Sequence, residues 1–497
     1  MPVLLQILLT PAAASLAVVL TRRRRPRAAG WIASLALLYA TGLAGAVTLD
    51  VARGTPVLED YLVVSPDIEL QLLADGLSAP TLSIVLLLCT ALSFYSIRYV
   101  EHRVAVLYAA ADPAARAAHY SRFFALLPFF PLGFVGTILS TNLVAVYFFM
   151  EVLTLTLFFL MAYYGYRERV RVAMVSLSWG IIGALLFLVG ALLVYSETGS
   201  LSTADLPGMA GTPLAAGAVA LFLVSLMMKL AVVPFHVWMP SVHAEHPTCI
   251  AGLLAIYANL AVYILIRVAV LPLEADMARF GPVLMVLALV TMVYGSLLTL
   301  AQTDVKRLAA CSTISQIAYS VLGLGALTAT SVEGGMLFFL SHIMGKTVFF
   351  STAGIVVYVT GVRDMNALGG LASRMPVTAS LWIVGCLMLS GFPPFSSFAA
   401  EWIMFTGIFE RGAATGPLGL AVAVGGLTAV VLTVAYTFGA ARKIFFGPLH
   451  PGLRGKDLRD PPWTMTVPLL VVAAVSMALG LYPAPVMALL DTVIGNL

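Results

Sequence analysis

The sequence predicts an all-α polytopic membrane protein with about fourteen transmembrane helices. Of its 497 residues, 61% are hydrophobic and only 10% are charged, and the mean hydropathy is +1.01. A soluble chain of this length needs far more charge to cover its surface. Apolar runs of about 20 residues, the length that crosses the hydrocarbon core of a bilayer, recur from one end of the chain to the other. We therefore expect a single domain embedded in the lipid bilayer of the cell (inner) membrane.

The apolar runs define fourteen predicted spans, numbered in chain order. They lie near 3–20, 30–49, 78–98, 121–140, 142–164, 172–195, 213–235, 248–271, 280–301, 308–328, 333–359, 376–409, 416–441 and 464–490. The first span is followed by arginines and lacks a cleavage site of small residues. We expect it to be retained as a helix and not removed as a signal peptide.

The basic residues predict how these spans are oriented. Twenty-one of the 27 lysines and arginines lie in loops that follow odd-numbered spans, with Lys306 and Arg307 counted in the loop between spans 9 and 10. Cytoplasmic loops carry an excess of such residues, so this bias places the loops in the cytoplasm and both termini outside it. Because most of the basic residues lie in short loops, the net charge of +4 does not indicate a nucleic-acid partner.

Prolines interrupt spans 7 and 12. Pro234 lies near the end of span 7, and the segment Gly391–Phe395 contains two prolines inside span 12. A proline inside a helix removes a backbone hydrogen bond. Broken helices at corresponding places in two halves are typical of transporters built from inverted repeats. The predicted organisation is peripheral helices in 1–120, a first repeat of spans 4–8 in 121–271, a second repeat of spans 9–13 in 280–442, and a cytoplasmic loop with span 14 in 443–497.

Four charged residues are placed deep inside the apolar runs, namely Glu151, Lys229, Lys346 and Glu401, whereas arginine occurs only near span ends. A charge at membrane depth costs at least about 2.5 kcal/mol, so its usual explanation is functional. Glutamate and lysine suit proton transfer because burial and a nearby opposite charge shift their pKa values in opposing ways. His342 precedes Lys346 by four residues and shares its helix face. The alternative is a set of buried ion pairs that only hold helices together.

Polar residues also follow the break in span 7. His236, His243, Glu245 and His246 lie shortly after Pro234. They are either proton-uptake groups or ordinary polar loop residues. Their spacing is not diagnostic of a metal site, so no metal is expected.

The cysteines do not indicate a redox centre. Cys89, Cys249, Cys311 and Cys386 are far apart and form no CxxC pair. Iron–sulfur clusters and structural zinc need clustered thiolates. We expect no bound cofactor in this chain.

Seven motifs in chain order resemble one known family. They are Asp75–Ser78, the helix around Glu151, Lys229 with Pro234–Pro240, His243–Thr248, Gln302–Leu308 with Ser312–Tyr319, Arg363–Gly370, and Gly391–Pro394 with Glu401. Together they resemble the antiporter-like subunits of respiratory complex I, and the related subunits of Mrp-type sodium/proton antiporters and membrane-bound hydrogenases.

The resemblance implies roles for the buried residues. Glu151 and Lys229 would form a coupling pair, Lys346 with His342 would belong to a central hydrophilic axis, and Glu401 would end the path. A glutamate in span 12 resembles the M-type (ND4-type) subunit of NADH-quinone oxidoreductase. The implied fold has fourteen helices with inverted repeats of spans 4–8 and 9–13.

One position departs from the family. A lysine usually stands in the middle of span 8, eight residues before an arginine that matches Arg267, whereas this chain has Asn259. Asparagine can form hydrogen bonds but cannot carry a proton. The relay through this region is therefore expected to use Tyr257, Asn259 and water, or the subunit couples differently.

These observations predict a proton-translocating subunit of a complex I-like enzyme. Flavin, iron–sulfur clusters and quinone would belong to partner subunits of a multisubunit complex, because this chain has no motif for them. The alternatives are a sodium/proton antiporter subunit without a redox partner, a subunit of an energy-converting hydrogenase, and a membrane scaffold that no longer moves protons.

Overall fold

The polytopic helical architecture is confirmed in a computed structural model, which describes residues 2–22, 25–65 and 68–497. In these residues thirteen helices are long and apolar enough to cross a membrane. They are Val3–Thr21, Ala28–Ala52, Ser78–Leu107, Pro113–Leu139, Leu143–Tyr164, Arg169–Thr198, Ala215–Glu245, Thr248–Val270, Gly281–Leu300, Val305–Ala326, Ala329–Thr360, Pro417–Phe445 and Trp463–Leu481. Predicted span 12 is instead two helices, Pro376–Leu389 and Ser396–Thr415. The count of fourteen treats this pair as one span, and the span numbers below keep that convention.

Both predicted breaks are present. In span 7 the α-helix ends at Leu230, and Ala231 takes a left-handed conformation with φ of 51°. Two short helices, Phe235–Trp238 and Met239–Glu245, continue the span. In span 12 the first helix ends at Leu389, and Gly391 has φ of 64°. Glycine adopts this conformation without the steric cost that a side chain brings.

The second span of each proposed repeat begins with a matching contact. At the start of span 5, the Leu143 N–H donates to the Leu201 carbonyl at 2.9 Å, and at the start of span 10 the Val305 N–H donates to the Arg363 carbonyl at 2.9 Å. In the sequence, Val305 follows Leu143 by the same number of residues as Arg363 follows Leu201. This correspondence supports a repeat of spans 4–8 by spans 9–13, and the repeat boundaries stay a prediction.

The same two helices also begin with matching caps. The Asn142 side chain accepts hydrogen bonds from Val144 and Ala145 at the start of span 5. The Asp304 carboxylate accepts from Lys306 and Arg307 at the start of span 10. Such side chains satisfy backbone N–H groups that a helix start leaves without partners.

A β-hairpin between spans 2 and 3 was not predicted. Strands β1 (Val57–Ser65) and β2 (Ile68–Ala74) pair in antiparallel fashion. The Glu59 carboxylate accepts the Leu4 and Leu5 N–H groups, each at 3.1 Å, and so caps the first span. The hairpin therefore packs against the membrane helices through specific hydrogen bonds.

The predicted last span, 464–490, is too long. The helix ends at Leu481, and a separate helix covers Ala484–Ile494. Tyr482 leaves the helical conformation just before Pro483, because a residue that precedes proline is sterically disfavoured in a helix.

Spans 8, 10 and 11 form the centre of the bundle. Thr248–Val270 and Val305–Ala326 are buried along their whole membrane-length segments, and Ala329–Thr360 is nearly so. In the first, second, sixth and thirteenth spans fewer than half of the residues in the membrane-length segment are buried, and these spans lie at the periphery. Polar side chains on the central spans are consequently shielded from lipid by protein, where such groups are tolerated.

An ion pair joins the hairpin end to span 8. The Asp75 carboxylate accepts a short hydrogen bond from the Arg267 guanidinium, and also accepts from the N–H groups of Leu77 at 3.0 Å and Ser78 at 2.9 Å. Burial alone would raise the pKa of Asp75, but the charge and hydrogen bonds of Arg267 and Ser78 outweigh it and lower this pKa below 3.8. The carboxylate therefore stabilises the fold at neutral pH.

We predict that Asp75→Asn lowers the free energy of unfolding by about 2 kcal/mol at neutral pH, because it removes a charged hydrogen-bond acceptor. A lowered pKa contributes stability that is present above pH 3.8 and is lost as pH falls through the folded-state value. The difference between wild type and variant should therefore shrink below pH 3.8 in unfolding measurements in detergent. Asp60→Asn, on the exposed part of the hairpin, is the control; equal pH dependence of wild type and Asp75→Asn would contradict the assignment.

Candidate functional site

The first cluster of buried polar groups is centred on Lys229. This residue occupies the last turn before the break in span 7 and is 4% exposed. Its Nζ donates to the Tyr257 hydroxyl at 3.3 Å and lies 4.3 Å from the centroid of the same ring. Tyr257 is on span 8, so this contact joins the broken helix to the centre of the bundle.

The cluster has a defined hydrogen-bond direction. The Thr154 hydroxyl donates to the Met150 carbonyl at 3.0 Å. It therefore accepts at its 3.2 Å contact with the Tyr257 hydroxyl, because a hydroxyl has one hydrogen. The chain of donors runs from Lys229 through Tyr257 to Thr154.

Glu151 lies one turn before Thr154 on span 5. Its side chain is partly buried, and its Oε1 has no hydrogen-bond partner in the described part of the chain. The Lys229 ammonium donates to Tyr257 and forms no direct hydrogen bond with Glu151 among the described residues. The contacts from Lys229 through Tyr257 to Thr154 link span 7 to span 5 one turn from Glu151, and the expected coupling pair stays a prediction.

The second cluster explains the position of Asn259. The Asn259 side chain is fully buried, and its Nδ2 donates to the Ala255 carbonyl at 2.7 Å. Its Oδ1 lies 2.9 Å from the Nδ1 of His342, on span 11. Asparagine here joins the two halves of the bundle through a hydrogen bond, in place of a charge.

This bond assigns the tautomer of His342. Since the Asn259 Oδ1 can only accept, the His342 Nδ1 carries the hydrogen, and the Nε2 of neutral imidazole keeps its lone pair. The Nε2 is buried and has no hydrogen-bond partner in the described residues. Its lone pair is therefore left without a donor among the described residues.

Lys346 forms the third cluster, one helical turn from His342. It is fully buried, and its Nζ donates a short hydrogen bond to the Ser312 hydroxyl of span 10. Ser312 in turn donates to the Ala309 carbonyl at 2.9 Å. Both predicted members of the central axis, His342 and Lys346, thus face polar groups on neighbouring central spans.

A group of hydroxyl and amide side chains continues beyond Ser312. Gln316, one turn further along span 10, donates to the hydroxyls of Thr433 at 2.9 Å and Tyr436 at 3.3 Å. The Tyr319 hydroxyl lies 3.3 Å from that of Thr433. These residues lead from the Lys346 cluster toward span 12.

Glu401 lies at the far end of this group. It is 8% exposed and sits against Gly391, at the break in span 12, where the missing Cβ leaves room for its carboxylate. It acts electrostatically on Tyr319 and Tyr436. Its Oε1 has no hydrogen-bond partner among the described residues.

The residues after the break in span 7 differ from one another. His243 is fully buried, and neither ring nitrogen has a hydrogen-bond partner in the described part of the chain. His236 packs edge-on against Tyr294, with ring centroids 4.9 Å apart. Glu245 forms a 3.2 Å ion pair with Arg363, which is a structural role. The segment forms two short helices instead of the loop that was expected, and a role of its histidines in proton uptake stays a prediction.

Lys306 was wrongly placed in a loop by the sequence. Span 10 begins at Val305, so Lys306 lies in its first turn and is fully buried. Its Nζ donates to the His246 carbonyl at 2.5 Å and lies 3.9 Å from the centroid of the Tyr166 ring. The signal that would have found it is Asp304, a residue type that caps helix starts.

Comparisons with known proteins identify the family of the chain. The family described as NADH:quinone oxidoreductase/Mrp antiporter, TM, matches residues 140–431. The NADH-quinone oxidoreductase subunit N of Desulforudis audaxviator is 28% identical over 482 residues, which cover 93% of this chain and 92% of that protein. The NAD(P)H-quinone oxidoreductase chain 4 1 of a Synechococcus species is 32% identical over 356 residues, 70% of this chain and 67% of that protein.

A solved structure has a similar fold. One chain of the Mrp complex from a Dietzia species superposes with a TM-score of 0.87 at 21% identity, covering all of this chain and 98% of that one. At this identity the likeness shows the fold alone. The roles of the residues named above rest on their geometry in this chain.

We predict that Asn259 and His342 are energetically coupled. Asn259→Leu leaves a buried donor without an acceptor, which costs about 1–3 kcal/mol. In a double-mutant cycle with His342→Phe, measured by unfolding of the purified protein in detergent, we expect a coupling energy of about 1 kcal/mol. The control is Ser34→Ala, which removes a hydrogen bond to Ser93 between spans 2 and 3. Its effect on the free energy of unfolding should simply add to that of Asn259→Leu. Additivity of the Asn259 and His342 substitutions would show that this hydrogen bond does not form.

Proposed function

The chain belongs to the NADH:quinone oxidoreductase/Mrp antiporter transmembrane family, and on this premise we propose that it is a proton-translocating membrane subunit of a complex I-like respiratory oxidoreductase. It would work in the cell membrane, beside other membrane subunits of a multisubunit complex. Both relatives named above are subunits of quinone oxidoreductases. Flavin, iron–sulfur clusters and quinone would be bound by the partner subunits.

One observation carries the proposal. Ionisable and hydroxyl side chains follow one another across the buried centre of the bundle, from Lys229 on the first broken helix to Glu401 on the second. Buried polar groups of this kind are costly in a membrane protein, and their usual explanation is a function in transport. A scaffold does not need such a series, since apolar packing holds helices together without the desolvation cost.

Glu151 and Lys229 would start the proton transfer. A change of charge on Glu151 alters how tightly Lys229 holds its proton, because opposite charges favour the charged form of each other. The Lys229 ammonium already donates to Tyr257. The proton that leaves Lys229 would pass toward Tyr257 on span 8.

His342 would receive the proton at the centre. Asn259 holds the Nδ1 hydrogen, so the Nε2 lone pair is the atom that accepts. Lys346, one turn away, would then release a proton from its ammonium toward Ser312, to which it donates, and the neutral amine would take the proton from the Nε2. In this scheme Asn259 orients the acceptor and carries no proton itself.

Glu401 would be the last group of the relay. The hydroxyls of Tyr319, Thr433 and Tyr436 lie between Ser312 and this carboxyl. A glutamate at this position in span 12 is the feature in which the chain resembles the M-type subunit. A proton delivered to Glu401 would leave at the break in span 12, beside Gly391.

We predict that Glu151→Gln and Lys229→Ala each remove most redox-driven proton uptake while the complex still assembles. The measurement is proton uptake by membrane vesicles of the producing cells, driven by the complex's own electron donor, with assembly checked by native gel. Glu168→Gln and Lys443→Ala, which change exposed residues of the same types, should leave uptake unchanged.

The same vesicles can show whether transport requires sodium. If the wild type still takes up protons when sodium is replaced by choline, the result supports the proton relay. If uptake stops, the result supports sodium/proton exchange. Normal uptake in both assembled variants would show that Glu151 and Lys229 are structural, and the chain would be a scaffold.

A further inference from the structure

A cavity of about 740 Å³ lies between helix ends far from the buried polar groups. It is bounded by the start of span 2, the end of span 3, the start of span 4 and the start of span 14. These ends carry arginine-rich loops, so the positive-inside bias places the cavity at the cytoplasmic surface of the membrane. None of the groups proposed for proton transfer lines it.

The charges that line the cavity are mainly positive. Arg27, Arg98 and Arg116 contribute to its wall, with Glu101 as the one acidic residue among them. Arg98 forms a 2.8 Å ion pair with Glu101. The Arg116 Nε donates a hydrogen bond to the Ala111 carbonyl at 3.1 Å. Because a carbonyl group carries no net charge, the guanidinium charge stays uncompensated. Two guanidinium charges, on Arg27 and Arg116, are therefore without an acidic partner in the described part of the chain.

The remaining wall is apolar and aromatic. Trp31 and Trp463 line the cavity and are 40% and 63% exposed. Tryptophan is enriched where lipid headgroups meet the hydrocarbon region. Ile97 and Val104 provide an aliphatic surface beside the charges. A ligand that fits both surfaces has an anionic head and an apolar tail.

We propose that this cavity binds an anionic phospholipid of the cytoplasmic leaflet. Arg27 and Arg116 would hold the phosphate group of the lipid, because guanidinium matches phosphate oxygens in a bidentate manner. An acyl chain would lie along Ile97 and Val104 and leave toward the bilayer beside Trp463. Basic pockets between transmembrane helices on this side are suited to anionic headgroups, and a zwitterionic lipid gains less because its own ammonium opposes the arginines.

Brominated lipids test this directly, because bromine on an acyl chain quenches tryptophan fluorescence at contact. The full chain is reconstituted in phosphatidylcholine nanodiscs containing a small fraction of dibromo-phosphatidylglycerol or dibromo-phosphatidylcholine. The signal from Trp31 and Trp463 is the difference between the wild type and the Trp31→Phe/Trp463→Phe variant. We expect stronger quenching by the brominated phosphatidylglycerol at equal mole fraction.

The arginines provide the matched comparison. Arg27→Gln and Arg116→Gln should each reduce the preference for phosphatidylglycerol about fivefold, the effect of about one basic residue at a membrane surface. Arg442→Gln, an exposed arginine in the last turn of span 13 on the same side, should leave the preference unchanged. Thermal unfolding of each variant shows that it is folded.

Three results would overturn the proposal. Equal quenching by the two brominated lipids in the wild type would remove the charge preference. An unchanged preference in the Arg27→Gln/Arg116→Gln double variant would place the lipid elsewhere. Loss of the preference on adding inorganic phosphate, but not an equal ionic strength of chloride, would identify the cavity as a site for free phosphate.

Discussion

The structure depends on keeping polar groups away from lipid while placing them at membrane depth. In hydrocarbon an unsatisfied backbone or side-chain polar group costs several kcal/mol. The chain meets this constraint by enclosing spans 8, 10 and 11, which are almost wholly buried, within the other helices. The two interruptions are tolerated because backbone groups beside them find partners in the protein: the Val233 N–H donates to the Thr291 hydroxyl and the Phe392 N–H to the Leu387 carbonyl, each at 3.1 Å. The broken helices and the buried lysines are consequences of the same arrangement.

The features that could be predicted from the sequence are those with a local signal. A lysine or a proline inside an apolar run is visible without knowing what surrounds it, so Lys229, Lys346 and both breaks were found. The partners of these residues depend on which helices pack together. Tyr257 as the acceptor for Lys229, and His342 as the partner of Asn259, are separated from them by many residues. Lys306 was misplaced because the start of span 10 was set three residues too late.

In the proposed relay, Asn259 supplies a neutral hydrogen-bonding group at the position where the family usually has a lysine. The asparagine fixes one nitrogen of His342 and leaves the other free. A lysine at this position would bring a second cation close to Lys346, and the two would repel one another in a medium of low polarity. The neutral residue leaves Lys346 as the single cation of the central clusters built around His342 and Ser312. In the proposed relay, the His342 imidazole would be the first group at the centre to accept the proton.

The hairpin between spans 2 and 3 has a consequence for how the chain is assembled. Glu59 on β1 caps the first span, and the Gln71 carbonyl on β2 accepts the Thr141 N–H at 3.3 Å, at the junction of spans 4 and 5. The capping bonds need only the first span and the hairpin, whereas the bond to Thr141 also needs the junction that follows two further helices in the sequence. The hairpin therefore links the earliest helix of the chain to a later pair, and its full set of hydrogen bonds requires all of these segments to be in place.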